Sequence, residues 1–329
     1  MDNIPTTSLR DPAPSSPKYP STQLIGLPMD PSHLHHYITA GHTTTSHLPS
    51  VSPPEKESET FWQVVRQMKK NMMIITFSKS VDSVVKVAEI GMCTMISGNP
   101  GVGKSQLCMQ LAVNALIPAS DGGVGGSSLY ISTEGLPDTS RISSMLQKLQ
   151  NHVNRVRSEK NKSKDLWDDP NLLNKLGIAT ALDVSSLMEC LKSLPKLVAE
   201  SGYKLIILDS IAAPIRCLED NNDRMRVTLE ITSLLSKLAS QMQVAVVCTN
   251  HLTTPFNSDD QELIPALGLS VSSQFDVHVE LSKEQNQGEV LVKVKKGGKA
   301  DGATAMFRIG EDGVRDVKRR PAQQPRVGP

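Results

Sequence analysis

Eight residues, Gly98-Asn-Pro-Gly-Val-Gly-Lys-Ser105, constrain this chain more than any other part of it. They satisfy G-x-x-x-x-G-K-[S/T], a phosphate-binding loop that works only between a buried strand and the start of a helix. The glycines Gly98, Gly101 and Gly103 let backbone N–H groups curl round phosphates that also sit at a helix N-terminus. Asn99, Pro100 and Val102 complete the cradle. Lys104 is placed for the β- and γ-phosphates, and the Ser105 hydroxyl for Mg²⁺. A nucleoside triphosphate, ATP with Mg²⁺, is the expected ligand.

The surrounding pattern supplies the strand and helix that the loop needs. Apolar strand-like runs are expected at 92–97, 128–133, 176–179, 204–209 and 244–250, with helices near 104–117, 139–157, 184–200 and 222–242. Runs at 275–281, 289–295 and 304–309 read as closing strands with no helices between them. Continuous apolar strands such as Leu205-Ile-Ile-Leu208 belong to a sheet covered on both faces, so an α/β fold with a mainly parallel sheet is expected. The charged stretch 155–169 reads as an exposed helix end and loop.

Outside this core the composition changes. Residues 1–58 are rich in Pro, Ser, Thr and His, with too few apolar residues to offset the cost of ordering a backbone, and are expected to be disordered. His33, His35, His36, His42 and His47 are irregularly spaced and lack cysteine partners, which favours a solvated tail over a metal site. Helical spacing in Phe61-Trp-Gln-Val-Val-Arg-Gln-Met-Lys-Lys70 and again over 81–87 suggests a helical linker at 59–90. The core is then 91–318, followed by a basic, Pro-containing tail at 319–329. The 35 basic and 34 acidic residues nearly balance, so any nucleic-acid surface must be local. Cys93, Cys108, Cys190, Cys217 and Cys248 form no CxxC pair and suggest reduced thiols, hence an intracellular compartment. No apolar run is long enough to span a membrane, and no signal-peptide core is seen.

Two carboxylates complete the expected nucleotide site. Leu205-Ile-Ile-Leu-Asp209 is a buried strand ending in an acid, which places Asp209 on the water shell of the Mg²⁺. Glu134, after the strand that follows the loop's helix, sits at a strand's carboxyl end, where it can orient an attacking water. The bland alternative is that Glu134 caps the helix starting near Asp138.

The order of these elements, with Ser132-Thr-Glu-Gly135 and Val246-Val-Cys-Thr-Asn-His251, resembles the RecA-like strand-exchange recombinases of eukaryotes. The segments Gly103-Lys-Ser-Gln-Leu-Cys-Met-Gln-Leu111, Leu129-Tyr-Ile-Ser-Thr-Glu134, Asp209-Ser-Ile-Ala-Ala-Pro-Ile-Arg-Cys217 and Pro265-Ala-Leu-Gly268 are most like the Rad51 paralogues of the XRCC3 and Rad57 branch. The run Ala305-Met-Phe-Arg-Ile-Gly-Glu-Asp-Gly-Val314 looks like that family's last strand and turn. The resemblance implies that Arg141 stacks on the adenine, against a plain surface role, and that two loops, 216–226 and 252–273, face DNA. Arg216, Arg224 and Arg226 of the first could bind phosphates of single-stranded DNA. Glu219, Asp220 and Asp223 blunt that case, and Phe256, Asp259, Asp260 and Glu262 make the second loop a poor grip. It further implies a nuclear protein of homologous-recombination repair whose partners are another paralogue and the main recombinase.

Departures from the family pattern temper this. His251 stands where the family has a glutamine; it can still hydrogen-bond a γ-phosphate. No Phe-x-x-Ala occurs, Phe77-Ser-Lys-Ser80 being a loose echo, and no N-terminal helical DNA-binding domain is recognisable. Self-polymerisation and strand exchange are therefore in doubt. Two readings stand: a slow, DNA-dependent ATPase that assists recombinase assembly within a heteromeric complex, and a catalytically weak scaffold in which ATP stabilises a partner interface. An unrelated RecA-fold motor or small-molecule kinase ranks third, since no Arg-rich lid is visible.

Overall fold

In the computed structural model, residues 73–159, 167–253, 264–284 and 288–317 are described. The reading of 1–58, the helix expected over 61–70 and the tail after 317 lie outside the described residues.

The six-residue strand Cys93–Gly98 (β3) is buried throughout, and it is the axis of the fold. Two short strands, Met73–Ile74 (β1) and Ala88–Glu89 (β2), pair with each other before it and enclose a helix, Lys79–Val84 (α1). After β3 come Lys104–Asn114 (α2), Ser127–Ser132 (β4), Thr139–Glu159 (α3), Leu176–Thr180 (β5), Val184–Ser201 (α4) and Tyr203–Asp209 (β6). Then follow Ala212–Arg216 (α5), Asn221–Met242 (α6), Ala245–Thr253 (β7), Ile264–Pro265 (β8) and Leu269–Ser272 (α7). The chain closes with Val277–Lys283 (β9), Glu289–Lys296 (β10), Thr304–Gly310 (β11) and Gly313–Asp316 (β12).

The main sheet runs β12-β11-β10-β9-β3-β7-β6-β4-β5, with β8 added to β7. From β9 to β5 neighbouring strands are parallel; β9 to β12 form an antiparallel meander. The expected RecA-like α/β architecture with a mainly parallel sheet is what the chain adopts. Because successive strand residues point to opposite faces, β6 divides its side chains: Leu205 and Ile207 enter one apolar core, Ile206 and Leu208 the other. The first core packs under α2 and α3 through Leu107, Leu111, Ile142, Met145, Leu146, Leu149 and Val153. The second packs under α4 and α6 through Leu187, Leu191, Leu194, Val198, Ile231 and Leu235. Truncating one such leucine to Ala costs about 2–5 kcal/mol, the lost transfer energy plus the cavity.

The helix ends follow local chemistry. Asp183 and Ser186 close a capping box on α4, and Gly202 ends that helix at φ +65°. Asp220 caps α6 through the Asp223 N–H. The helix expected over 81–87 instead covers Lys79–Val84, because Ser78 caps it from the Val81 N–H. Val85 then turns extended at φ −149°, as suits a run of β-branched valines. Asp316 of β12 locks α1 to the end of the chain, accepting from the Ser78 hydroxyl and from the Lys79 and Ser80 N–H groups. The elements β1, β2, α5, β8, α7 and β12 are not expected from the sequence: each has five residues or fewer, too short for periodicity to show.

Candidate nucleotide site

Parallel strands deliver their carboxyl ends to one edge of the sheet, which is where α/β folds bind ligands. The register puts Gly98 of β3 opposite His251 of β7, and Ser132 of β4 opposite Asp209 of β6. The loop, both expected carboxylates and His251 therefore meet on one rim.

The loop geometry suits a phosphate. Gly101 and Gly103 have φ of +71° and +113°, and a Cβ on Gly98 would stand 2.8 Å from the Leu281 carbonyl oxygen. A Cβ on Gly103 would meet Ile309 Cδ1 at 2.3 Å. The ends of β9 and β11 thus pack directly against the loop, and a side chain at Gly98 or Gly103 would clash with them. The Lys104 ammonium lies inside the loop, donating to the Gly98 and Asn99 carbonyl oxygens at 2.7 and 3.0 Å. Burial lowers its pKa, while Asp209 and Glu134 oppose that shift and Arg216 adds to it.

Asp209 is held from both sides. Its Oδ2 accepts from the Tyr130 hydroxyl at 2.5 Å, and its Oδ1 accepts from the Thr249 hydroxyl. Burial raises the Tyr130 pKa, so the phenol remains a donor, with Ser105 opposing that shift. Ser105 and Asp209 are the two residues expected around Mg²⁺. Their oxygens are the hard donors that this ion takes. Among the described residues no group of three or more His, Cys, Asp or Glu side chains forms a separate metal centre.

Glu134 does not cap α3. Asp138 does that, accepting from the Arg141 N–H at 3.0 Å and the Ser140 hydroxyl at 2.6 Å. Glu134 Oε1 instead accepts from the Ser210 hydroxyl and from His251 Nε2, each at 2.9 Å. Burial pushes the Glu134 pKa up, but the bonds from His251 and Ser210, with the charges of His251 and Arg216, bring it below the ordinary value. Because a carboxylate accepts, Nε2 of a neutral His251 carries the proton; Nδ1 is buried without a hydrogen-bond partner. Ser210 is set by a reciprocal pair: its N–H donates to Thr133 Oγ1 at 2.8 Å, and the Thr133 hydroxyl donates to its carbonyl at 2.7 Å.

The remaining expected residues are dispersed. Arg141 donates to Gln106 Oε1 at 2.9 Å and to the Glu311 and Gly310 carbonyls at 2.8 and 2.6 Å, tying α2 and α3 to the β11–β12 turn. Much of 216–226 is helical, not loop, since α6 begins at Asn221. Arg224 turns inward onto the Leu218 carbonyl at 2.6 Å, and Arg226 pairs with Asp223 at 3.1 Å. Arg216 is exposed at the end of α5 and acts electrostatically on Glu134 and Lys104. Phe256, Asp259, Asp260 and Glu262 lie outside the described residues. Phe77, at φ +65°, lies edge-on to His152 with ring centroids 5.8 Å apart, and Arg315 stands over its ring at 5.0 Å.

Tyr130, Thr249, Thr133 and Ser210 were not singled out from the sequence. Their signal is polarity inside apolar strands, as in Leu129-Tyr-Ile131 and Val246-Val-Cys-Thr249. All five cysteines are free; Cys93, Cys108 and Cys248 are buried, Cys190 is half-buried and Cys217 is exposed. No helix among the described residues is long and apolar enough to cross a membrane.

Comparison with known proteins adds an independent line. The Rad51 family profile matches residues 67–317. "DNA repair protein RAD51 homolog 3" of Cricetulus griseus is 29% identical over 266 residues, covering 78% of this chain and 72% of that protein. Its Dictyostelium discoideum counterpart is 30% identical over 254 residues, covering 75% and 66%. "DNA repair protein XRCC3" of Mus musculus is 28% identical over 195 residues, covering 55% of this chain and 54% of its own.

Proposed function

The chain belongs to the Rad51 family, and we propose that it is an ATP-binding recombinase paralogue, like the RAD51 homolog 3 and XRCC3 branches, acting in recombinational DNA repair. The observation that carries this reading is the parallel register that brings the loop after β3, Asp209 at the end of β6 and Glu134 just past β4 to one rim of the sheet. Residues 98–105 hold the triphosphate, Ser105 and Asp209 hold Mg²⁺ with Asp209 acting through water, and Arg141 serves the adenine. Bound ATP supplies a γ-phosphate open to water. Glu134 holds and orients that water, with Ser210 and His251 fixing the carboxylate. Such positioning is worth about 10²–10⁴-fold in rate.

The proposed setting is nuclear, in a heteromeric complex with another paralogue, where the chain assists the main recombinase on single-stranded DNA. Arg216 is the residue of the first DNA loop best free to meet a phosphate, since Arg224 and Arg226 have partners. A second reading, a scaffold in which ATP stabilises the partner interface without turnover, has its own support. Both Ser210 and His251 engage Oε1 of Glu134, so the expected general base is already tied into the protein's own hydrogen bonds. ATP titration and hydrolysis by the purified complex, wild type against Lys104→Ala, test the proposal. Equal binding by both would remove 98–105 as the site.

A further inference from the structure

Beside the β11–β12 turn, α3 and β12 border a cleft of about 480 Å³ lined by Lys148, Asn151, His152, Arg155, Asp312 and Arg315. None of these residues belongs to the nucleotide site. The lining carries three permanent cations against one carboxylate, which is unusual for a concave surface in a chain whose charges nearly balance. Lys148, His152 and Arg155 recur at helical spacing, so they form a row of about 10 Å along one face of α3. A row of that length is too long for one phosphate and suits successive phosphates on a strand.

The cations are held in place, and their charge is only partly offset. Lys148 donates to the Glu311 carbonyl at 2.9 Å, and the Glu311 carboxylate is 3.8 Å away and 98% exposed. Arg315 stands over Phe77, pairs with Asp312 at 3.1 Å and donates to the Val314 carbonyl at 2.6 Å. Arg155 donates to His152 Nδ1 at 3.2 Å. Guanidinium groups fixed in this way lose little freedom on meeting a phosphate and can bind it bidentately.

We infer that this cleft binds the phosphate backbone of a nucleic-acid strand, at a place separate from the loop that carries Arg216. His152 reports on it. Burial lowers its pKa first, then Arg155 and Arg315, with Glu159 opposing; Phe77 packs on its ring without charge. A phosphate entering the cleft offsets the two guanidiniums and raises that pKa.

The test uses the full chain and a fluorescein-labelled poly-dT oligonucleotide, read by anisotropy across a salt series. Lys148→Gln with Arg155→Gln should weaken binding and flatten the log-log salt slope by about 1.4, at about 0.7 per lost single-strand contact. Asp312→Asn, which removes the cleft's one carboxylate, should strengthen binding. By NMR, the His152 pKa should rise when oligonucleotide is added. Wild-type binding with an unaltered slope in the double variant and an unmoved His152 overturns the cleft while leaving the proposed repair role intact. No binding by the wild type overturns the cleft and the direct DNA role together. A His152 shift with inorganic pyrophosphate or a phosphopeptide but not with oligonucleotide overturns the nucleic-acid assignment.

Discussion

His251 Nε2 lies 2.9 Å from Glu134 Oε1, so the residue that replaces the family's glutamine is bonded to the expected general base. This contact and the Ser210 bond lower the Glu134 pKa against the burial that raises it. A carboxylate with a depressed pKa stays ionised as pH falls, until the pH reaches the lowered value. His251→Phe removes the largest of the lowering influences, so the Glu134 pKa should rise. The acid limb of the ATPase pH–rate profile should then move to higher pH, with a smaller move in the same direction for Ser210→Ala. Superimposable profiles would mean that Glu134 is not the group titrating in that limb.

Tyr130 is almost fully buried, with its hydroxyl on Asp209. Tyr130→Phe keeps the ring and removes one bond to a carboxylate. It should destabilise the fold by about 1.5–3 kcal/mol, the range for hydrogen bonds to charged groups. Urea unfolding should show a lower midpoint with the slope preserved. A stability equal to wild type would show that Thr249 alone suffices for Asp209.

The three arginines expected to grip DNA should separate on mutation. Arg224 spends its guanidinium on the Leu218 carbonyl and the α5–α6 turn, so Arg224→Ala should lower thermal stability and leave the salt dependence of single-strand binding by the complex unchanged. Arg216→Ala should flatten that dependence by about 0.7 log unit, with Arg226→Ala intermediate because Asp223 competes for it. Equal effects on the slope from all three would restore the picture of a shared grip.

Which features the sequence disclosed follows from how local their causes are. The phosphate loop is a contiguous string whose glycines answer to backbone demands, so it reads directly. The long helices carry an unbroken apolar stripe, as in Ile142, Met145, Leu146, Leu149 and Val153, and were placed to within a few residues. Asp209 reads from four apolar residues ahead of it. The contacts that set the site are different. Tyr130 meets Asp209 across 79 residues, and Glu134 meets His251 across 117, pairings that only strand register brings together. The inward turn of Arg224 was hidden for a related reason: an arginine beside acids looks solvated until its helix start is known.

The decisive separation of enzyme from scaffold rests on Glu134. Its side chain is half exposed, and its two donors, Ser210 and His251, share one oxygen, so nothing in its geometry makes it a holder of the nucleotide. A group used mainly in the transition state should lower turnover when it is removed and leave ground-state affinity nearly intact. Glu134→Gln keeps the shape and the acceptor oxygen but cannot accept a proton. In the purified complex it should cut ATP hydrolysis by about ten-fold or more, with ATP affinity changed little. Lys104→Ala should behave differently. It removes the ammonium that lies in the loop on the Gly98 and Asn99 carbonyls, and should weaken ATP binding by about ten-fold or more as well as hydrolysis. Steady-state hydrolysis and equilibrium titration of the three proteins side by side decide the matter. If wild type does not exceed the Lys104→Ala background, the scaffold reading holds and the Glu134–His251 contact is structural. If wild type hydrolyses ATP and Glu134→Gln does so equally well, the water is positioned from elsewhere, and a residue of the neighbouring subunit becomes the one to find.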